Sequence, residues 1–261
     1  MKLVKLVLEN FRCYREATSV DVGDITTLIG KNDVGKSTIL EALEIFFNNE
    51  VVKISPDDVN VFSEDKQVSI ICDFTELPNV LVLDSGADTN LAEEYLEYKP
   101  GVLRIKKVFD CSKSKPSEEV YIVANHPTVT GGEGVLKLKE KELQSIVKDK
   151  GLDVKLKGNP AMRKVIWDSF DDLQLQVVEL SVTKQLEDKS IWTRLESYLP
   201  MYALFQSDRR STDTDDEVQN PMRAAIEEAI EEVRNEIAAI ETKVREKATE
   251  IAKETHAALC V

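Results

Sequence analysis

The stretch Gly30-Lys31-Asn32-Asp33-Val34-Gly35-Lys36-Ser37 decides how the rest of this sequence is read. It fits the phosphate-binding pattern G-x-x-x-x-G-K-[ST] at every fixed position. Gly30 and Gly35 let the backbone turn tightly and aim successive N–H groups, those of Asn32, Asp33 and Val34 among them, at phosphate oxygens. A helix opening near Lys36 would add the positive end of its dipole. In that arrangement Lys36 reaches the β- and γ-phosphates, Ser37 places a hydroxyl on Mg²⁺, and Thr38 reaches the α-phosphate. The expected ligand is ATP or GTP with Mg²⁺, and Ser37 is the candidate metal ligand.

The flanks agree with this reading. Ile25 to Ile29 reads as a strand running into the loop, and Ser37 to Phe47 is dense enough in apolar residues to be a buried helix. Strand, glycine loop and helix in that order is the context the motif requires. Residues 2 to 9 and 17 to 22 read as two earlier strands, and 67 to 74, 102 to 109 and 119 to 124 as later, antiparallel ones. Helices are expected over 136 to 148, 160 to 170 and 182 to 199, with a return to the sheet at 202 to 205.

Composition sets limits. The chain has 261 residues, 42% of them hydrophobic, with ten Gly and eight Pro. That describes a folded domain, or a domain with an appendage, rather than a disordered chain. The formal net charge of −14 argues against a surface that grips nucleic acid over most of its area. Cys13, Cys72, Cys111 and Cys260 are widely spaced, without a Cys-x-x-Cys, and read as reduced cysteines of a cytoplasmic protein. No run approaches the ~18–20 apolar residues of a membrane span, so no membrane association is expected.

Two further features narrow the class. Asn10-Phe11-Arg12 ends the first strand, and Asn32 lies inside the loop. Together with Ile39-Leu-Glu-Ala-Leu43, these residues resemble the N-terminal lobe of the SMC/RecF/OLD group of ABC-type ATPases. The Gly-Lys-Asn-Asp form is closest to OLD-like bacterial AAA-family proteins. The resemblance is specific over residues 1 to 48 and architectural beyond them. It implies an α/β P-loop NTPase fold of ABC-ATPase type, with a mixed sheet around the P-loop helix. It also implies that Arg12 approaches the nucleotide phosphates and that the Asn32 side chain helps place the γ-phosphate. A strand-end arginine can instead simply pair with a carboxylate.

ABC-type ATPases also need a Walker B strand and a signature helix. Three segments imitate them. Val80-Leu-Val-Leu-Asp84 is followed by Ser85, Ile70-Ile-Cys-Asp73 by Phe74, and Thr130-Gly-Gly-Glu133 by no suitable strand. Edge strand, strand end and turn are the better readings, so no catalytic residue is assigned. Asp57 and Asp58 could hold Mg²⁺ through water, but a turn or helix-cap role suits them better. The missing elements are expected from further sequence or a partner chain, and OLD-like proteins add a Toprim nuclease domain.

The expected organisation is an ATP-binding lobe over 1–205, an acidic linker over 206–220 and a long helix over 221–261. Ile226, Ile230, Val233, Ile237, Ile240 and Val244 alternate in steps of four and three, the seam of a coiled coil. At ~1.5 Å per residue such a helix would reach ~57 Å. It would leave the lobe as a coiled-coil arm, pack on its own domain, or join copies of the chain. The function implied is the ATP-binding lobe of an ATPase in DNA transactions, repair or anti-phage defence, closing as a homodimer or higher oligomer around nucleotide. A non-hydrolytic ATP-binding scaffold or oligomerisation subunit, and an unrelated small NTPase or kinase, are the alternatives.

Overall fold

Period-two patterning builds the sheet. In β1 (Lys2–Glu9) the side chains of Leu6 and Leu8 are fully buried while Lys5 and Val7 face the other side. β3 (Gln67–Thr75, following β2, Thr18–Asp21) buries Val68, Ile70, Cys72 and Phe74 on the same face. The computed structural model describes residues 1–31, 35–83, 87–183 and 186–205. Met1–Tyr202 forms one compact unit, and Ala203–Val261 forms a second, of which 203–205 are described. The acidic linker and the long C-terminal helix expected from the sequence lie outside the described residues.

β4 (Leu81–Val82) and β5 (Asp88–Thr89) make a separate small hairpin. β6 (Leu103–Asp110), β7 (Ser117–His126) and β8 (Gln176–Ser181) complete a six-stranded sheet in the order β2-β1-β3-β6-β7-β8. Every described pairing in it is antiparallel. The mixed α/β architecture matches expectation; the mixed sheet does not.

The difference traces to residues 25 to 29, which form no ladder. After β2 the chain turns: Gly23 N donates to Thr26 Oγ1 at 2.9 Å, and Lys2 pairs with Asp24. The segment then runs alongside no described strand, leaving Ile25 and Ile29 91% and 90% exposed. The predicted return of residues 202 to 205 to the sheet is also absent. Tyr202 instead stacks on Phe47, with ring centroids 5.7 Å apart, and its hydroxyl donates to Leu40 O at 2.8 Å. β8 was not predicted; its short Val177-Val178 core between polar residues gives a weak periodic signal.

Helices cover one face of the sheet. α1 (Lys36–Phe47) packs Phe46 against Phe74, centroids 6.3 Å apart. α2 (Glu140–Asp149) and α3 (Asn159–Asp168) pack on each other, and α4 (Leu186–Glu196) brings Trp192 over Lys107. In that layer Arg163 and Glu94 form a fully buried bidentate pair, with both N···O distances 2.7 Å. The opposite face of the sheet is polar. Its cations are paired there: Lys5 with Asp21 at 2.7 Å, Arg104 with Asp73 at 2.6 Å, and Lys106 with Glu179 at 2.8 Å.

Candidate functional site

The site is organised by the tight turn at the end of β1. Phe11 N donates to Tyr14 O at 2.9 Å and Tyr14 N to Phe11 O at 2.8 Å, closing a two-residue turn over Arg12 and Cys13. Asn10 and Arg12 both adopt positive φ, 55° and 49°. Asn tolerates that region; for arginine it is strained by about 1 kcal/mol and must be held. Holding is provided from three directions. Arg12 N donates to Asp58 O at 2.7 Å, Nε donates to Asp58 Oδ1 at 2.7 Å, and Nη1 donates to Glu41 of α1. Burial works against the Arg12 charge, but the bonds to Glu41 and Asp58 outweigh it and hold its pKa above the ordinary arginine value.

The rest of the motif is structural in a definite sense. Asn10 is buried, and its Nδ2 donates to Asp65 O at 2.9 Å and Gln67 O at 2.8 Å, fastening the turn to the start of β3. Phe11 fills the core with no exposed surface. Asp58 ends a 3₁₀ turn, Pro56–Asp58, and its Oδ2 accepts from Ser55 N at 2.7 Å and Ser55 Oγ at 3.0 Å. The turn-cap reading of Asp58 therefore fits the structure, while Asp57 points to solvent.

The P-loop itself meets this turn at Gly35. Gly35 has φ 90°, in the left-handed region, and stands at the N-cap of α1. A Cβ there would lie 2.6 Å from Cys13 Sγ and 2.9 Å from Tyr14 Oη, so glycine is required both by conformation and by space. Tyr14 Oη donates to Gly35 O at 3.1 Å. Burial, with a smaller contribution from Cys13, raises the Tyr14 phenol pKa, so the hydroxyl keeps its proton to donate. Lys36 arches over the start of the loop, its Nζ donating to Gly30 O at 2.8 Å and Lys31 O at 2.5 Å. Ser37 is exposed and Thr38 half-buried on the first turn of α1. Asn32, Asp33 and Val34 lie outside the described residues.

The imitation motifs have other employment. Asp73 falls on the face of β3 opposite Phe74 and so points away from α1, where Arg104 binds both its oxygens at 2.6 and 2.8 Å. Leu81–Val82 belong to the small hairpin, and Asp84 lies outside the described residues. Gly132 sits in a turn, its carbonyl accepting from Trp167 Nε1 at 2.9 Å.

The loop, its lysine and the helix N-terminus thus form one unit braced by the β1 turn. The family model of the AAA ATPase domain matches residues 1–260. The chain belongs to that family. No curated protein matches it.

An AAA ATPase domain binds nucleotide, usually with Mg²⁺. The residues present fit such a ligand. Gly35 lets the backbone take the left-handed turn into α1, Lys36 has an N–H beyond the two it spends on carbonyls, and the first N–H groups of α1 carry the positive dipole end. Among the described residues, no three His, Cys, Asp or Glu gather to hold a metal. Ser37, exposed on the first turn of α1, is the hydroxyl that would hold Mg²⁺ beside the phosphates. No described helix is long and apolar enough to cross a membrane.

Proposed function

We propose that this chain is the ATP-binding lobe of an OLD-like ATPase of the SMC/RecF/OLD group, acting in DNA repair or anti-phage defence. Its P-loop, from Gly30 through Asn32, Asp33, Val34 and Gly35 to Lys36, Ser37 and Thr38, binds MgATP. Nucleotide closes two lobes into a dimer, and further sequence or a partner, including a Toprim nuclease, supplies the remaining catalytic groups. The observation that carries this reading is the bracing of the P-loop helix by the Asn10-Phe11-Arg12 turn, through Tyr14 on Gly35 and Arg12 on Glu41. Two motifs twenty residues apart in sequence act as one piece of structure.

Arg12, held by Glu41 and Asp58 at the foot of the P-loop helix, adds positive charge on the phosphate side of the site, as the resemblance to the group implies. Lys5, Arg104 and Lys106 on the outer face of the sheet are paired with carboxylates, which disfavours that face as the DNA surface.

Calorimetric titration with MgATP tests the first step: wild type binds and Lys36→Ala does not. Equal behaviour of the two overturns the reading. Sedimentation with and without MgATP tests closure, and a mass that stays constant at saturating nucleotide removes the dimer from the proposal. Anisotropy of labelled duplex DNA tests the nucleic-acid role, which fails if ATP leaves binding unchanged and undetectable at low salt.

A further inference from the structure

We propose that Tyr14 is a positioning residue for the nucleotide, acting through the Gly35–Lys36 peptide rather than by touching the ligand. The inference rests on the phosphate-binding reading of the loop. Gly35 O accepts two hydrogen bonds, from Ile39 N at 3.3 Å inside α1 and from Tyr14 Oη at 3.1 Å outside it. A carbonyl has two lone pairs, so both bonds can be made at once. The peptide unit is planar and trans, which makes its C=O and N–H point in opposite directions. Fixing Gly35 O from the side of Tyr14 therefore aims the Lys36 N–H away from Tyr14 and out of the N-terminal end of α1. The donated hydroxyl also polarises the same peptide and makes its N–H a better donor to an anion.

The geometry leaves the hydroxyl little freedom. Tyr14 is fixed by the two backbone bonds of its turn, and that turn is bound to Asp58 and Glu41 through Arg12. Gly35, at φ 90°, has no side chain of its own to restrain the peptide. A glycine peptide at a helix N-cap is the part of the loop most in need of outside restraint, and Tyr14 is the side chain that reaches its carbonyl.

The test uses wild type, Tyr14→Phe and Lys36→Ala, with MgATP titration, thermal unfolding and amide hydrogen exchange. Removing one neutral hydrogen bond that acts on the bound state is expected to weaken MgATP about 3- to 10-fold. The unfolding midpoint without nucleotide should fall by no more than the few degrees one neutral hydrogen bond is worth, and amides of residues 35 to 38 should exchange faster. A Tyr14→Phe chain that binds MgATP like wild type, whether its midpoint falls or holds, overturns the proposal and leaves Tyr14 a structural residue. If wild type binds no better than Lys36→Ala, the phosphate-binding reading fails and this inference fails with it. If those two differ and Tyr14→Phe equals wild type, the inference alone fails.

Discussion

Arg12 Nε meets Asp58 Oδ1 at 2.7 Å, tying the end of β1 to the turn that follows the P-loop helix. The same carboxylate caps its own turn through Ser55, so one side chain supports two local structures. Asp58→Ala should lower the stability by about 1–3 kcal/mol, combining a lost cap with the loss of one of the two carboxylates that hold Arg12. Urea unfolding reads this directly. A loss under about 0.5 kcal/mol, the range of an ordinary surface change, would show that the turn holds without Asp58.

Gly35 should tolerate no side chain. Alanine there would carry the strain of a left-handed φ and a Cβ 2.6 Å from Cys13 Sγ. We expect Gly35→Ala to weaken MgATP by at least ~10-fold, since a shift of a few tenths of an ångström at the helix N-terminus misaims several donors. In a Cys13→Ala background part of the stability loss should return, because the contact with Sγ goes while the contact with Tyr14 Oη and the backbone strain remain. A double-mutant cycle of unfolding free energies measures that coupling.

The buried Glu94–Arg163 pair should behave differently when broken and when replaced. Glu94→Ala leaves a buried guanidinium without its bidentate partner and should cost about 3–5 kcal/mol. Glu94→Leu with Arg163→Met should recover most of that loss, although Thr89 Oγ1 also loses its acceptor at 2.8 Å. Unfolding curves of the three variants distinguish a pair that stabilises from one that is merely tolerated.

His126 gives stability a pH dependence of predictable sign. Desolvation lowers its pKa below 6.5, while its Nδ1–H donates to Tyr95 O at 2.9 Å and Glu94 acts in the opposite direction. The unfolded chain therefore binds the proton more readily than the folded one. This contribution is fully present above 6.5 and is lost as pH falls from there toward the depressed folded value. The urea midpoint should drop between pH 7.5 and 5.5, and drop less in His126→Asn. Equal slopes would assign the effect to other groups.

Much of the site is legible in one dimension. The G-x-x-x-x-G-K-S pattern, the strand ending in Asn10-Phe11-Arg12 and the apolar density of residues 37 to 47 locate the loop, the bracing turn and α1. The later strands β3, β6 and β7 follow from alternation. What these patterns do not carry is which side chains meet. Arg12 beside Glu41 and Asp58 joins positions 29 and 46 residues apart, and no periodicity links them. Tyr14 is an ordinary aromatic in the sequence; only its hydroxyl on Gly35 gives it a role, and no sequence signal could have found it.

The sequence alone determined the local chemistry of this protein, because glycine, lysine and serine at fixed spacing constrain the backbone and its donors wherever they occur. Tertiary structure decided three things. It made the described sheet antiparallel throughout, because ladder formation needs a neighbouring strand and residues 25 to 29 find none among those described. It gave Asp73 to Arg104, because alternation along β3 turns that carboxylate away from α1. It also joined the β1 turn to the P-loop at Gly35, since a contact across twenty-one residues exists only once both elements are packed on one core.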